Sequence, residues 1–176
     1  MIVYLLRHAS AGQPQPSSRQ DEKRPLDATG ERQSRDVSRA LAALEVEVDA
    51  IISSPLTRAL QTAEIAAREF GHKQEIVTHE AMRPEASYDQ FHDLLAQYSN
   101  SKSIMVVGHN PSITEFLLHM LCGNATCNCI ELKKGALAKV EVDDGKARLL
   151  WLMTPKLATK LQAASTKSSR PKTSRK

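Results

Sequence analysis

The chain is poor in aromatic residues, with one Trp, three Tyr and three Phe in 176 residues. Stacking of bases on an aromatic platform, the usual way to hold single-stranded nucleic acid, is therefore not expected, and the core must be aliphatic. Long apolar runs are missing too. No stretch approaches the length that spans a bilayer, and Met1-Ile2-Val3-Tyr4 enters an apolar run without the basic lead-in of a signal peptide. A cytoplasmic protein without a membrane partner is expected. Cysteine is scarce and clustered. Cys122, Cys127 and Cys129, with His119 nearby, lack the paired Cys-x-x-Cys knuckles of a structural zinc site. They read as reduced thiols at the end of a helix and in the loop after it, with no metal.

With 41% hydrophobic and 25% charged residues, the chain fits one globular domain with a sizeable core. The net charge of +4 is unevenly spread, because residues 156–176 hold seven of the 24 Lys and Arg and no acid. The remaining 17 bases face 20 acids, so the body is mildly acidic. We divide the chain into a domain over residues 1–160 and a basic tail over 161–176. From Ser165 onward the tail is Ser, Thr, Lys, Arg and Pro, a composition that cannot bury enough apolar surface to order itself. It reads as a solubilising end rather than an electrostatic arm for polyphosphate or nucleic acid.

Along the chain, strand and helix signals alternate. Ile2 to Leu6 is apolar on both faces, the pattern of a buried parallel strand, and the polar stretch from Ala9 to Arg24 reads as a mobile loop over its end. Asp27 caps a helix with Val37, Ala40, Leu41 and Leu44 on one face. Ala50 to Ser53 is the next strand, and Ser54-Pro55 supplies a capping hydroxyl and a first-turn proline to a helix lined by Leu56, Leu60, Ala63 and Ala67 and closed by Gly71. Glu75 to Thr78 is a short strand. Ser87-Tyr88-Asp89-Gln90 is a capping box opening a helix that runs through Tyr98, and Ile104 to Val107 is a strand. Asn110-Pro111 repeats the cap-then-proline device before a helix with Ile113, Phe116, Leu117, Met120 and Leu121 inward. Ala136 to Val142 and Lys146 to Leu152 flank Asp144-Gly145, a tight hairpin signal. The expected fold is α/β: a three-layer sandwich, its central sheet mostly parallel with one antiparallel strand near the C-terminus, and helices on both faces.

Three strand ends carry chemistry. Arg7-His8 ends the first strand, Ser54 to Thr62 places Arg58 at a helix start, and Gly108-His109-Asn110-Pro111 ends another strand. In open α/β sheets ligands gather at the carboxyl ends of strands, so two arginines and two histidines can meet in one pocket. Such a pocket suits a phosphoryl group, whose oxygens accept bidentate hydrogen bonds from guanidinium forks and backbone N–H groups at helix starts. Neutral His8 is the natural nucleophile, forming a phosphohistidine intermediate, and Arg7 and Arg58 disfavour its charged form. His109 would donate to the phosphoryl oxygens. On this account the chemistry needs neither metal nor cofactor.

The order of these segments resembles the histidine phosphatase superfamily, the phosphoglycerate mutase-like fold, over nearly the whole body. Leu6-Arg7-His8-Ala9, Arg24-Pro25-Leu26 with Gly30, Ser53 to Ala63, and Val107-Gly108-His109-Asn110-Pro111 are most similar to its SixA-type phosphohistidine phosphatases. The resemblance implies His8 as the phosphorylated nucleophile and Arg7, Arg58 and His109 as the phosphate pocket. Ala9 stands where the wider superfamily has glycine. Pro14 stands where mutases and sugar-bisphosphate phosphatases place an asparagine, and their long lid insertions are missing. For the general acid, relatives carry a glutamate near Met82-Arg83-Pro84-Glu85. Glu85, Glu80 and, in the loop before Arg24, Asp21 are the candidates.

The resulting expectation is a monomeric cytoplasmic phosphohistidine phosphatase. Its substrate would be a phosphorylated protein such as a histidine phosphotransfer domain, or a small phosphorylated metabolite. The alternatives are a broad small-molecule or sugar-phosphate phosphomonoesterase using the same residues, and a non-catalytic anion-binding module that docks polyphosphate or nucleic acid through the basic tail.

Overall fold

A computed structural model of the chain describes residues 1–124 and 129–168. Six strands form one sheet: β1 (Ile2–Arg7), β2 (Ala50–Ser53), β3 (Val77–Thr78), β4 (Ser103–Gly108), β5 (Leu137–Asp143) and β6 (Lys146–Met153), in the order β3-β2-β4-β1-β5-β6. β1, β4, β2 and β3 are parallel, β5 is antiparallel to β1, and β6 is antiparallel to β5. β6 therefore runs with β1, and β5 alone opposes the rest. The Asp144-Gly145 turn joins them with φ of 46° and 70°, the left-handed pair that a tight hairpin turn requires.

Strand side chains alternate between two cores. Val3, Leu5, Ile104 and Val106 face α4 (Tyr88–Gln97) and α5 (Ser112–Cys122), where Phe91 and Phe116 stack with ring centres 4.5 Å apart. Tyr4, Leu6, Met105 and Val107 face α2 (Ala28–Ala43), α3 (Thr57–Glu69) and α6 (Pro155–Ser168). This is the expected sandwich. β1 and β4 are central, which explains why both read as apolar on two faces. Among the described residues no helix is long and apolar enough to cross a membrane.

Several local readings need correction. The loop between β1 and α2 contains a short helix, α1 (Ser18–Glu22), and is tied down by polar bonds. Ser10 Oγ and the Gly12 N–H both donate to the Asp27 carboxylate, and Arg24 donates to the carbonyls of Ala11 and Gly12. Leu44 is the exposed C-cap of α2, outside its buried stripe. α3 starts at Thr57 without a side-chain cap, and its inner face is Ala59, Ala63, Ala66 and Ala67 rather than Leu60, since small residues let α2 and α3 approach closely. α5 likewise starts after Pro111, with Asn110 outside the cap position. α6 extends through the first eight residues of the segment read as tail, held where Thr159 Oγ1 donates to Asp36 Oδ2 and the Gln162 amide to the Asp36 carbonyl. Cys122 closes α5 and Cys129 is exposed. Cys127 and residues 169–176 lie outside the described residues.

Gly30, one turn into α2, has its Cα against the Ser10 backbone. A Cβ there would overlap the Ser10 carbonyl oxygen and lie 2.8 Å from its carbon. Gly30→Ala should therefore push the His8–Ser10 turn off α2, lowering stability by about 1–3 kcal/mol in thermal or urea unfolding. Unchanged stability would show that the turn yields freely.

Candidate active site

Strand register builds the site. β4 lies between β2 and β1, with Arg7 opposite Gly108 and Ser53 opposite Val107. The residues just past these ends, His8, Ser54 and His109, are therefore neighbours although far apart in sequence. Backbone bonds extend the ladder one step: the His8 N–H donates to the Gly108 carbonyl and the Ser54 N–H to the Val107 carbonyl, each at 2.9 Å. The two imidazole rings stand 4.8 Å apart, His8 only 7% and His109 only 2% exposed.

Each ring has one nitrogen tied. His8 Nδ1 lies 2.7 Å from the Ala9 carbonyl, which can only accept, so the proton sits on Nδ1 and the Nε2 lone pair is left for attack. His109 Nε2 lies 2.9 Å from Ser54 Oγ. Burial, offset in part by the Ala9 bond and reinforced by Arg58 and Arg7, pushes the His8 pKa down to about 3. Burial, with His8, Arg58 and Arg7 nearby, lowers that of His109 to about 2. Both imidazoles are neutral at physiological pH.

Arg7 and Arg58 complete the cluster. Arg7 donates to the Leu132 carbonyl at 2.7 Å, and Arg58, 5% exposed, donates to the Asp21 carbonyl at 2.8 Å and pairs with Asp21 Oδ2 at 3.2 Å. Burial lowers the pKa of both guanidinium groups, yet each keeps its charge at neutral pH. Among the described residues, four buried side-chain nitrogens have no partner. Three of them are Arg7 Nε, Arg58 Nε and His109 Nδ1. Buried polar groups are ordinarily paired, so this concentration of unpaired nitrogens points to an acidic ligand.

The four residues line an open cleft of about 230 Å³ together with Arg24, Asn110, Pro84 and Lys134. A larger cleft of about 730 Å³ lies beside the β5–β6 turn and the end of α5, lined by Tyr88, His119 and Arg148 among others, and contains none of the four. The smaller one is the candidate site because two guanidinium groups and two imidazoles converge there.

The three acid candidates fall differently. Asp21 reaches the site as a strut: its carboxylate bridges Arg58 and Arg24, the latter at 2.8 Å, and these bonds together with one from the Gln15 N–H hold its pKa below the usual carboxylate range against its partial burial. Glu80 and Glu85 are exposed and turned to Arg83, at 2.6 and 4.0 Å, and neither lines the cleft. Arg83 also pairs with Glu22 of α1 at 2.9 Å, joining the loop above the cleft to the 3₁₀ turn Glu80–Met82.

Sequence reasoning missed several members. Lys134 and Asn110 reach the cleft from the segment before β5 and from the start of α5, and Arg24 was noted only as part of its Arg-Pro-Leu run. Thr62 entered only as the last residue of the Ser54 to Thr62 segment, with no role of its own. Its Oγ1 donates to the Arg58 carbonyl at 2.7 Å and accepts from the Ala9 N–H at 3.2 Å, tying the arginine's helix to the His8 turn. Its place four residues after Arg58, on one helix face, was the available signal.

Two guanidinium groups and two neutral imidazoles at the carboxyl ends of parallel strands define a phosphoryl-handling α/β enzyme. Comparisons with known proteins agree. The model of the histidine phosphatase superfamily (branch 1) matches residues 3–95, which include His8 and Arg58 but not His109. An uncharacterised protein of Picosynechococcus is 30% identical over 152 residues, 85% of this chain and 88% of its own. Phosphohistidine phosphatase SixA of Escherichia coli (strain K12) is 28% identical over 162 residues, 88% of this chain and 94% of SixA. The structure of the protein histidine phosphatase SixA complexed with tungstate superimposes with a TM-score of 0.80 at 24% identity, covering 89% of this chain and 98% of that one, a likeness of fold. The chain belongs to the histidine phosphatase superfamily, and it is a phosphatase.

Proposed function

We propose that this phosphatase hydrolyses phosphohistidine on a protein through a covalent phospho-His8 intermediate, without metal or cofactor. His8 Nε2 attacks phosphorus of a phosphohistidine whose other ring nitrogen already carries a proton taken from solvent, the P–N bond breaks, and the substrate imidazole leaves neutral with that proton. Water then attacks phosphorus, the P–Nε2 bond breaks, His8 leaves as the neutral imidazole that keeps its Nδ1 proton, and inorganic phosphate departs with the protons of the water. Arg7 and Arg58 hold the phosphoryl oxygens in both steps, and His109 donates as charge shifts onto them.

The observation that carries this reading is the convergence of Arg7, His8, Arg58 and His109 with His8 Nε2 unencumbered. The choice of a P–N bond rests on the carboxylates. Asp21 is held ionised between two arginines, and Glu80 and Glu85 point away to Arg83. A sugar or serine alkoxide needs a strong proton donor to leave, whereas imidazole leaves readily once its ring is protonated. The activity named for the Escherichia coli relative is in line with this. On the same reading the enzyme works in the cytoplasm as a monomer, the chain from β1 through α6 forms its catalytic unit, and its partner is a phosphorylated protein such as a histidine phosphotransfer domain.

Turnover on a phosphohistidine-bearing protein, set against turnover on sugar phosphates, tests the assignment. We expect kcat/KM for the protein to exceed that for sugar phosphates by about 10²-fold or more, the scale of one missing general acid. Equal or reversed rates would make the chain a broad phosphomonoesterase.

A further inference from the structure

We propose that Ser54 is a positioning residue: its hydroxyl donates to His109 Nε2 and holds that ring as the Nδ1–H tautomer, so that His109 meets the phosphoryl group as a hydrogen-bond donor. The inference rests on the phosphoryl-transfer reading above and concerns how that site is prepared.

Ser54 follows the last residue of β2 and is fully buried. It caps no helix, because α3 begins three residues later at Thr57. Among the described residues Ser54 Oγ has two partners, the Leu56 N–H at 3.3 Å and His109 Nε2 at 2.9 Å. A hydroxyl carries one proton and two lone pairs. The Leu56 N–H uses one lone pair, and the proton has a single acceptor, His109 Nε2. The reverse assignment, Nε2–H donating to Oγ, would strand the Ser54 proton in the interior and turn Nδ1 into a bare lone pair. A lone pair there would repel phosphoryl oxygens, while Nδ1–H attracts them.

The two histidines are thereby set to opposite tasks by which nitrogen is tied. The Ala9 carbonyl accepts from His8 Nδ1–H and leaves a nucleophilic Nε2. The Ser54 hydroxyl fills His109 Nε2 and leaves a donor at Nδ1, the nitrogen found buried without a partner. Neither ring has to change tautomer when substrate arrives, and that preorganisation would raise kcat more than it lowers KM.

The test uses the full chain labelled with 15N-histidine, without substrate at neutral pH, His109 being identified with a His109→Asn variant. The wild type should show His109 as Nδ1–H. Ser54→Ala should move it toward Nε2–H and lower kcat by about 10- to 100-fold, with KM changed by less than about threefold. Ser53→Ala is the matched control. Ser53 is equally buried but donates to the Ser54 carbonyl at 2.9 Å, so its loss should leave tautomer and rate as they are. Nε2–H in the wild type would overturn the proposal without any variant, and so would a Ser54→Ala enzyme with an unchanged tautomer or rate. A wild type that turns over no phosphorylated substrate would instead sink the phosphoryl-transfer reading, leaving the tautomer measurement standing.

Discussion

His8→Ala should lower turnover on the order of 10³-fold or more while leaving the fold intact, since the proposed mechanism makes His8 the nucleophile and offers no substitute in the cleft. His109 is 4.8 Å away ring to ring, but its Nε2 is engaged by Ser54. Acid-labile label retained on the wild-type chain after brief exposure to a 32P-labelled substrate, and absent from His8→Ala, is the accompanying result. The pH dependence follows from the depressed pKa. An ordinary histidine near 6.5 would become largely protonated, and lose its nucleophilic lone pair, as pH falls from 7 to 5. His8, at about 3, stays neutral through that window, so protonation removes the nucleophile only as pH approaches 3. kcat/KM measured from pH 5 to 8 should show no acid limb near 6.5 from this group. A variant that keeps full activity would end the covalent account.

Arg58→Ala should cost about 10²- to 10³-fold in kcat/KM, the scale on which one preorganised donor acts on developing charge. Arg58 is buried at the first turn of α3, and its side chain is braced by Asp21 at 2.8 and 3.2 Å, so the guanidinium is already in place before substrate binds. Arg58→Lys restores charge without the planar fork and should recover only part of the loss. Arg35, a half-buried partner of Glu31 at 3.3 Å on α2 and outside the cleft, is the control whose replacement by alanine should leave the rate unchanged. If Arg58→Ala and Arg35→Ala behave alike, Arg58 does not hold the phosphoryl group.

Much of this arrangement was legible from residue order. Ile2 to Leu6 and Ile104 to Val107 read as central strands because a strand covered on both faces must be apolar on both, and β1 and β4 are such strands. Asp27, the Ser87–Gln90 box and Asp144-Gly145 were read correctly because a cap or a tight turn is decided within four residues. Ser54 and Asn110 were misread for the same local reason. Each has the chemistry of a cap, but each sits at a strand end where a partner from another strand or from its own helix competes. Ser54 bonds His109, and Asn110 accepts from Thr114 and donates to the Leu132 carbonyl. The stretch before Arg24 looked mobile because its bonds run to Asp27 and Arg83, which nothing in the stretch itself announces.

Residue order alone therefore determined most element types, α1 and α6 excepted, and the aliphatic two-faced core, and it singled out the four charged or imidazole side chains that the fold brings together, since propensity, period and capping are short-range properties of the chain. Only the tertiary structure decided which nitrogen of each ring is tied, that Asp21 braces arginines while Glu80 and Glu85 face away, and that Thr62, Lys134 and Ser54 belong to the site. Those are matters of distance between segments up to 125 positions apart, the separation of Arg7 Nη1 from the Leu132 carbonyl it donates to, and they arise when β2, β4 and β1 align their ends in register.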